Sequence, residues 1–501
     1  MSLESTPASL GKAAGDHGRG TILRGVFSLT LVGVLTQVIN YGIHIGLGRS
    51  FAPAVYGYFG IIAATFSLFE IILRSGIQRA VCFFVAQERG VAGEVLQKSL
   101  RIQAIYTLAC FFLFYSFADR LALVLGDPGL SGYLRFCSFF ILTSAWTPIY
   151  LGFLNGWGAF QQQAVMATIA ILTRLLLVFA LLFAGMGLDG VIAAYALSPL
   201  PAIVYWMRSA PVVPRNLNGR VQVRAIMTFG FPLFISTLAV SLLMRIDLFM
   251  VQSLLEDRFL TGLYASASAL IKAPYFLSLG SGLVLFQVVA RLGAKDPSEL
   301  REFISRCVRY YLLGLVPISC ILSGAAEPIL EITFGREYLP ATPVFMILSL
   351  CFPFMVLYNV LTIFISALGR TDISMGLGLA LLPVELFLIY QWIFSNGLTG
   401  VAAATAATFA LGAVTAGLYL RRKGYLVFPR WRTLFYVGGA SVASYYLVYQ
   451  ISPSGLWVLL FCPLIYFLYL ALLVAAGEIG KGEIRALIAT LAPVGSSAIR
   501  A

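Results

Sequence analysis

Eight ionisable residues stand inside long apolar runs: Glu70, Arg74, Arg79, Arg174, Arg245, Asp247, Lys272 and Glu385. At the centre of a bilayer each such group costs on the order of 3 kcal/mol, so each needs a partner, a cavity or a function. The set leans basic. Buried guanidinium and ammonium groups attract an anion, whereas a cationic cargo would prefer carboxylates. Glu70, Arg174 and Glu385 fall near mid-span, and Lys272 somewhat towards the outside. Arg74 and Arg79 approach the cytoplasmic end, and Arg245 and Asp247 the opposite end. Arg174, Arg245, Lys272 and Arg74 are therefore candidates for binding substrate, and Glu70, Asp247 and Glu385 for coupling to an ion.

Each candidate also has a purely structural reading. Glu70 and Arg74 are i, i+4 and can neutralise each other. Arg79 can snorkel to the interface. Arg245 and Asp247 lie close enough to the outer interface to be solvated, and at two residues apart they do not share a helix face. Arg174 is too central to snorkel, and its alternative is a buried salt bridge. Lys272 precedes Pro274, where a helix can kink and free a carbonyl. Glu385 follows Pro383 and serves either an ion or a structural partner.

A second polar feature lies in the first apolar run. Residues 37–44 read QVINYGIH, and Gln37, Asn40, Tyr41 and His44 share one helical stripe by their i, i+3, i+4, i+7 spacing. The stripe either lines a cavity or packs against a neighbouring helix. His44 titrates near neutrality when unperturbed, but one histidine beside an interface is weak support for a proton relay.

The elements that carry these residues follow from composition. The chain has 501 residues, 60% of them hydrophobic and 11% charged, against about a quarter charged in a soluble domain. So few polar residues cannot cover a water-facing surface of this size. Runs of roughly 20 apolar residues occur near 25–48, 57–83, 101–118, 134–154, 164–184, 188–207, 226–251, 261–290, 308–326, 342–366, 373–394, 398–420, 433–450 and 455–476. The expected fold is all-α and polytopic with about 14 transmembrane helices. With the N-terminus inside, 24 of the 34 Lys and Arg fall in inside segments, as the positive-inside rule requires. Both ends are then cytoplasmic, and the net charge of +13 reflects topology. It is divided among separate loops, which argues against nucleic acid as a partner. The seven cysteines are scattered and form no C-x-x-C pair, so no disulfide or metal framework is expected. The run after Arg24 is too long for the apolar region of a cleavable signal peptide.

An internal repeat organises the spans. GLDGVIAA (187–194) matches GLTGVAAA (397–404), Gly158 matches Gly369, and PAVYGYFGIIAA (53–64) resembles RFLTGLYASASA (258–269). Spans 1–6 thus parallel spans 7–12 in the same orientation, related by an axis along the membrane normal. The expected organisation is a flexible cytoplasmic tail at 1–20, a six-helix bundle at 21–208, a cytoplasmic linker at 209–224, a second six-helix bundle at 225–422, and two extra helices with a tail at 423–501. Two bundles that rock about a central site are typical of transporters. Arg174 and Glu385 hold equivalent places, each 16 residues after its matched glycine. Matching Ser50 to Ser253 sets His44 opposite Asp247, whereas matching Gly57 to Gly262 sets Asn40 opposite Arg245.

Four stretches carry a resemblance: LGRSFAPAVYGYFGIIAATFSLFEIILRSGIQRAV (47–81), RIDLFMVQSLLEDRFLTGLYASASAL (245–270), ILEITFGREYLPATPVFMILSL (329–350) and SALGRTDIS (366–374). In order and spacing the chain resembles the polysaccharide-unit (Wzx-type) flippases of the multidrug/oligosaccharidyl-lipid/polysaccharide superfamily. The resemblance implies an inner-membrane protein that moves undecaprenyl-diphosphate-linked sugar units outward by alternating access, for O-antigen, capsule or exopolysaccharide assembly. It implies no cofactor beyond H+ or Na+ coupling. Its expected partners are the lipid-linked oligosaccharide, membrane lipids, and the polymerase and glycosyltransferases of the same route. Fourteen spans match the related lipid II flippases, although the Gly-Pro-Ser-Arg pattern associated with those is absent and FAPAVYGYF stands in its place. Multidrug exporters share the fold. A membrane enzyme of polysaccharide assembly would be expected to present a large outer loop with a catalytic set. The longest outer loops here, about 119–133 and 327–341, are short, and no D-x-D or Gly-rich phosphate loop occurs.

Overall fold

The computed structural model describes residues 16–74, 76–210, 223–278, 282–293, 296–451 and 455–478. The expected N-terminal tail as far as residue 15, most of the linker (211–222) and the C-terminal tail from 479 lie outside the described residues.

The described chain is helical. In order the helices are α1 (Asp16–Ser50), α2 (Pro53–Arg74), α3 (Ile77–Gln87), α4 (Ala92–Val124), α5 (Leu130–Ser144), α6 (Thr147–Trp157), α7 (Phe160–Leu181), α8 (Gly187–Leu197), α9 (Leu200–Ser209) and α10 (Val223–Leu243). They continue as α11 (Ile246–Leu255), α12 (Arg258–Ser278), α13 (Gly282–Gly293), α14 (Pro297–Gly324), α15 (Ala326–Thr333), α16 (Thr342–Ala367), α17 (Thr371–Arg422), α18 (Trp431–Ile451) and α19 (Val458–Ala475). Nine described helical stretches are long and apolar enough to cross a membrane, ten if the bent pair α10–α11 counts as one. Two of the nine, Phe160–Ser209 and Thr371–Arg422, run 50 and 52 residues, enough for two crossings each at 1.5 Å rise per residue. Counting those two as double crossings gives eleven spans among the described residues, or twelve with the bent pair, as in a polytopic membrane protein. Side chains such as Phe183, Met207 and Ile105 stand fully out from the helices, as lipid-facing groups do.

The repeat is written in the backbone. Gly187 and Gly397 interrupt the two long stretches with the same conformation, φ 55°, ψ −137° and φ 58°, ψ −137°. Residues with a Cβ avoid this region. Gly158 and Gly369 follow the preceding helices at φ 82° and φ 80°, the left-handed turn that ends a helix. The first repeat adds a π-helical turn at Leu182–Met186.

The chain divides into two compact units, Met1–Gly280 with Met375–Phe394, and Ser281–Ser374 with Ser395–Ala501. In the first unit, α3, α6 and α9 share an apolar cluster around Val81, Phe153 and Trp206. Here α12, from the second repeat, packs along α2. A Cβ on Gly57 would collide with the Arg258 carbonyl, and one on Gly262 with the Pro53 carbonyl. A Cβ on Gly60 would meet that of Ala265. Pro53, Gly57 and Gly60 are the repeat counterparts of Arg258, Gly262 and Ala265, so the contact is reciprocal, as across a two-fold axis. This supports the Gly57–Gly262 register for spans 2 and 8. In the second unit, α18 and α19 pack on α14 through Ile321, Val448 and Ile465 and through Leu313, Val437 and Tyr469. The Tyr469 hydroxyl donates to the Leu313 carbonyl at 3.1 Å.

Candidate functional site

Below the glycine contact, α1, α2, α7, α8 and α10–α12 of the first unit surround a cavity of about 380 Å³. The polar stripe of α1 lines it throughout: Gln37, Asn40, Tyr41 and His44 all reach it. Lining and packing turn out to be compatible. The Tyr41 hydroxyl donates to the Ala269 carbonyl of α12 at 2.7 Å. His44 Nδ1 and the Tyr56 hydroxyl of α2 share a hydrogen bond at 2.9 Å. These two bonds leave Gln37 and Asn40 to present amides to the cavity.

The basic candidates gather on the same space. Arg74, Arg174, Arg245 and Lys272 line it, with Glu70 as the carboxylate among the described lining residues. Glu70 does not neutralise its i+4 neighbour. It accepts from Arg174 Nη2 at 3.0 Å, across from α2 to α7, while Arg74 Nε donates to Gln78 at 2.8 Å. Helix geometry permits the local pair, but Arg74 is exposed near the end of α2 and bonds Gln78, whereas the more buried Arg174 of α7 takes the carboxylate. Arg174 also lies over the Tyr195 ring at 4.6 Å, and its Nε reaches the Ser198 hydroxyl at 3.5 Å. Tyr195 is itself stacked on Phe66 at 5.0 Å, so the guanidinium rests on a fixed aromatic platform. A smaller cavity of about 210 Å³ shares Asn40, Glu70, Arg74 and Arg174 with the first, so the Glu70–Arg174 pair stands between the two.

Span 7 explains why Arg245 and Asp247 part company. Between α10 and α11 the chain bends by 46°, with Arg245 at the N-cap of α11 (φ −138°, ψ −14°). Arg245 turns into the cavity and donates to the Ser241 carbonyl at 3.2 Å. Asp247, in the first turn of α11, is 3% exposed. It accepts from the Leu248 N–H at 2.8 Å and the Tyr264 hydroxyl at 2.8 Å, where the helix N-terminus favours a carboxylate. The alternative in which the pair is solvated together is not what the structure has: Asp247 is buried and Arg245 faces the cavity. Asp247 and Glu385 do not line the cavity. Glu385 is fully buried, within electrostatic range of Lys272. Arg79 is exposed on α3.

Lys272 is the cation with fewest commitments. No described residue hydrogen-bonds or ion-pairs with its ammonium, and its charged neighbours are Asp247, Arg245 and Glu385. Pro274 sits inside α12, which continues to Ser278, so the expected kink does not end the helix there.

The α4–α5 turn is held to α12. Arg258 Nε and Nη2 donate to the two Asp127 oxygens at 2.7 and 2.9 Å, and Arg258 lies over the Tyr58 ring at 4.7 Å. Burial alone would raise the Asp127 carboxyl, but hydrogen bonds from Arg258, Tyr58 and the Gly129 N–H hold it below the usual carboxylate range. The residues missed in the sequence are Tyr56, Tyr195 and Ser198. They lie in apolar helices with no polar spacing of their own, and only contacts across the fold single them out.

A family profile described as "Polysaccharide biosynthesis protein" matches residues 47–343. A probable multidrug resistance protein NorM of Bacillus licheniformis is 27% identical over 202 residues, 38% of this chain and 44% of that protein. The match therefore spans less than half of that relative. Among solved structures, the lipid II flippase MurJ in an inward closed conformation aligns with a TM-score of 0.69 at 15% identity, over 91% of this chain and 99% of that one. A multidrug resistance MATE family transporter of the MOP superfamily, inward-facing, gives a TM-score of 0.68 at 15% identity, over 79% and 98%. The eukaryotic MATE transporter AtDTX14 gives 0.60 at 15% identity, over 85% and 97%. The chain shares their fold.

Proposed function

The chain belongs to the polysaccharide biosynthesis protein family, and on that premise we propose that it is a flippase for lipid-linked oligosaccharide units, of undecaprenyl-diphosphate type. The observation that carries this reading is the sign of the cavity. Arg74, Arg174, Arg245 and Lys272 face one carboxylate, Glu70, which Arg174 already engages. Such a lining attracts a diphosphate headgroup and repels a cation.

The cavity captures the headgroup, and the polyprenyl tail stays in lipid. Gln37 and Asn40 offer amides to the sugar hydroxyls. Rearrangement between inward and outward states then carries the headgroup across. Glu70, alone of the three coupling candidates, shares the cavity with the cations. It is therefore placed to exchange H+ or Na+ as the anion competes for Arg174, with Asp247 and Glu385 in supporting roles. The protein works in the bacterial inner membrane with both termini cytoplasmic, alongside a polymerase and glycosyltransferases.

Deletion in a producing strain tests this. We expect an undecaprenyl-linked intermediate to accumulate and surface polymer to disappear, both restored by the wild-type chain. The NorM match favours a second reading, drug export. Under that reading deletion would raise drug susceptibility and leave polymer untouched.

A further inference from the structure

We propose that the second unit carries a binding site for the headgroup of an anionic phospholipid, built from Arg301 of α14, Arg421 at the end of α17 and Trp431 at the start of α18. These residues line a cavity of about 620 Å³ together with Phe428 and Leu434. It shares no residue with the cavity of the first unit, so the proposal does not depend on the transport reading.

The lining has two halves. One is cationic. Arg301 and Arg421 form no ion pair among the described residues; Glu302 pairs with Arg306, and Glu478 with Arg432 and the Thr433 hydroxyl. Arg421 is exposed and lies over the Phe428 ring at 5.6 Å. The other half is apolar and uncovered. Trp431 is 87% exposed and Leu434 36%. The segment that bears Phe428 is tied to α14, since the Val427 N–H donates to the Ser305 hydroxyl at 2.9 Å. The site is thus formed by the fold.

A free phosphate would engage the guanidiniums and leave Trp431 and Leu434 bare. A phospholipid satisfies both halves, with phosphate on the arginines and acyl chains along the tryptophan and leucine. The place fits. Three helix termini meet here, the start of α14, the end of α17 and the start of α18, and tryptophan beside arginine at helix ends is characteristic of headgroup depth. Arg422, Lys423 and Arg430 in the same segment add to the positive field and select anionic over zwitterionic lipid.

Native mass spectrometry of the full-length protein tests this, with dioleoyl-phosphatidylglycerol, dioleoyl-phosphatidylcholine and sodium phosphate as probes. We expect phosphatidylglycerol to be retained roughly tenfold over phosphatidylcholine, and the Arg301→Gln/Arg421→Gln double variant to lose that preference. Arg306→Gln, which lies outside the cavity, should keep it. Equal retention of the two lipids, or an unchanged preference in the double variant, overturns the proposal. Displacement of phosphatidylglycerol by millimolar phosphate assigns the site to a free anion and overturns the lipid. A second readout is quenching of tryptophan fluorescence by phosphatidylglycerol with brominated acyl chains in nanodiscs. Quenching should fall in Trp431→Phe, and an unchanged signal counts against the site.

Discussion

The same two helices, α2 and α12, behave in opposite ways along their length. At one end they touch through Gly57, Gly60, Gly262 and Ala265, where backbone meets backbone. Farther along they part, and Ser67, Glu70, Ser268 and Lys272 face a cavity. Small residues let helices approach closely through van der Waals contact. Charged residues there face open space instead of the partner helix, because burying an unpaired charge against apolar surface is costly. Shape governs the contact at one end and charge lines the open space at the other.

Substitutions that attack shape should act most strongly. Gly262→Leu pushes a side chain into the Pro53 carbonyl, and we expect polymer export to fall by at least about a hundredfold at normal membrane levels of protein, as overpacking with no room to relax is costly. Ala265→Gly on the same face should stay within about twofold. Normal export in Gly262→Leu would break the comparison at its tight end.

Charge comes next. Lys272→Ala should lower export by about tenfold, the weight of one charge-assisted contact, and Lys272→Arg should restore most of it. If Lys272→Ala exports polymer normally, the open end of the comparison loses its function.

Glu70→Gln probes competition. With the carboxylate neutralised, Arg174 is free for an anion, and binding of a lipid-linked diphosphate should tighten by roughly threefold. Weaker binding would show that Glu70 serves to hold Arg174 in position.

The smallest effect concerns the Asp127–Arg258 clamp. Asp127→Asn should cost about 1 kcal/mol or less at neutral pH, since Arg258 is half exposed. The Asp127 carboxyl is held below its unfolded value, so its contribution is fully present above about pH 4 and is lost as pH falls through the lower folded value. Thermal unfolding of wild type and variant should therefore differ at neutral pH and converge in strong acid.

Much of this site was legible before any fold. The i, i+3, i+4, i+7 stripe from Gln37 to His44 and the buried cations stood out because polar groups in apolar helices have few excuses. The pairing of Glu70 was not legible. The i, i+4 spacing offered Arg74, and only the fold brings Arg174 of α7 to the carboxylate. Arg245 and Asp247 looked like one motif. A bend that no proline or glycine marks sends one into the cavity and the other into a hydrogen-bonded pocket.

Local pattern alone indicated the membrane class, the spans and the repeat, because apolar length and glycine spacing are properties of short segments. Tertiary structure decided which charges meet, which are consumed by partners and which face open space. Those outcomes rest on contacts between residues a hundred or more positions apart, such as Glu70 with Arg174 and Asp127 with Arg258, and no local spacing encodes them.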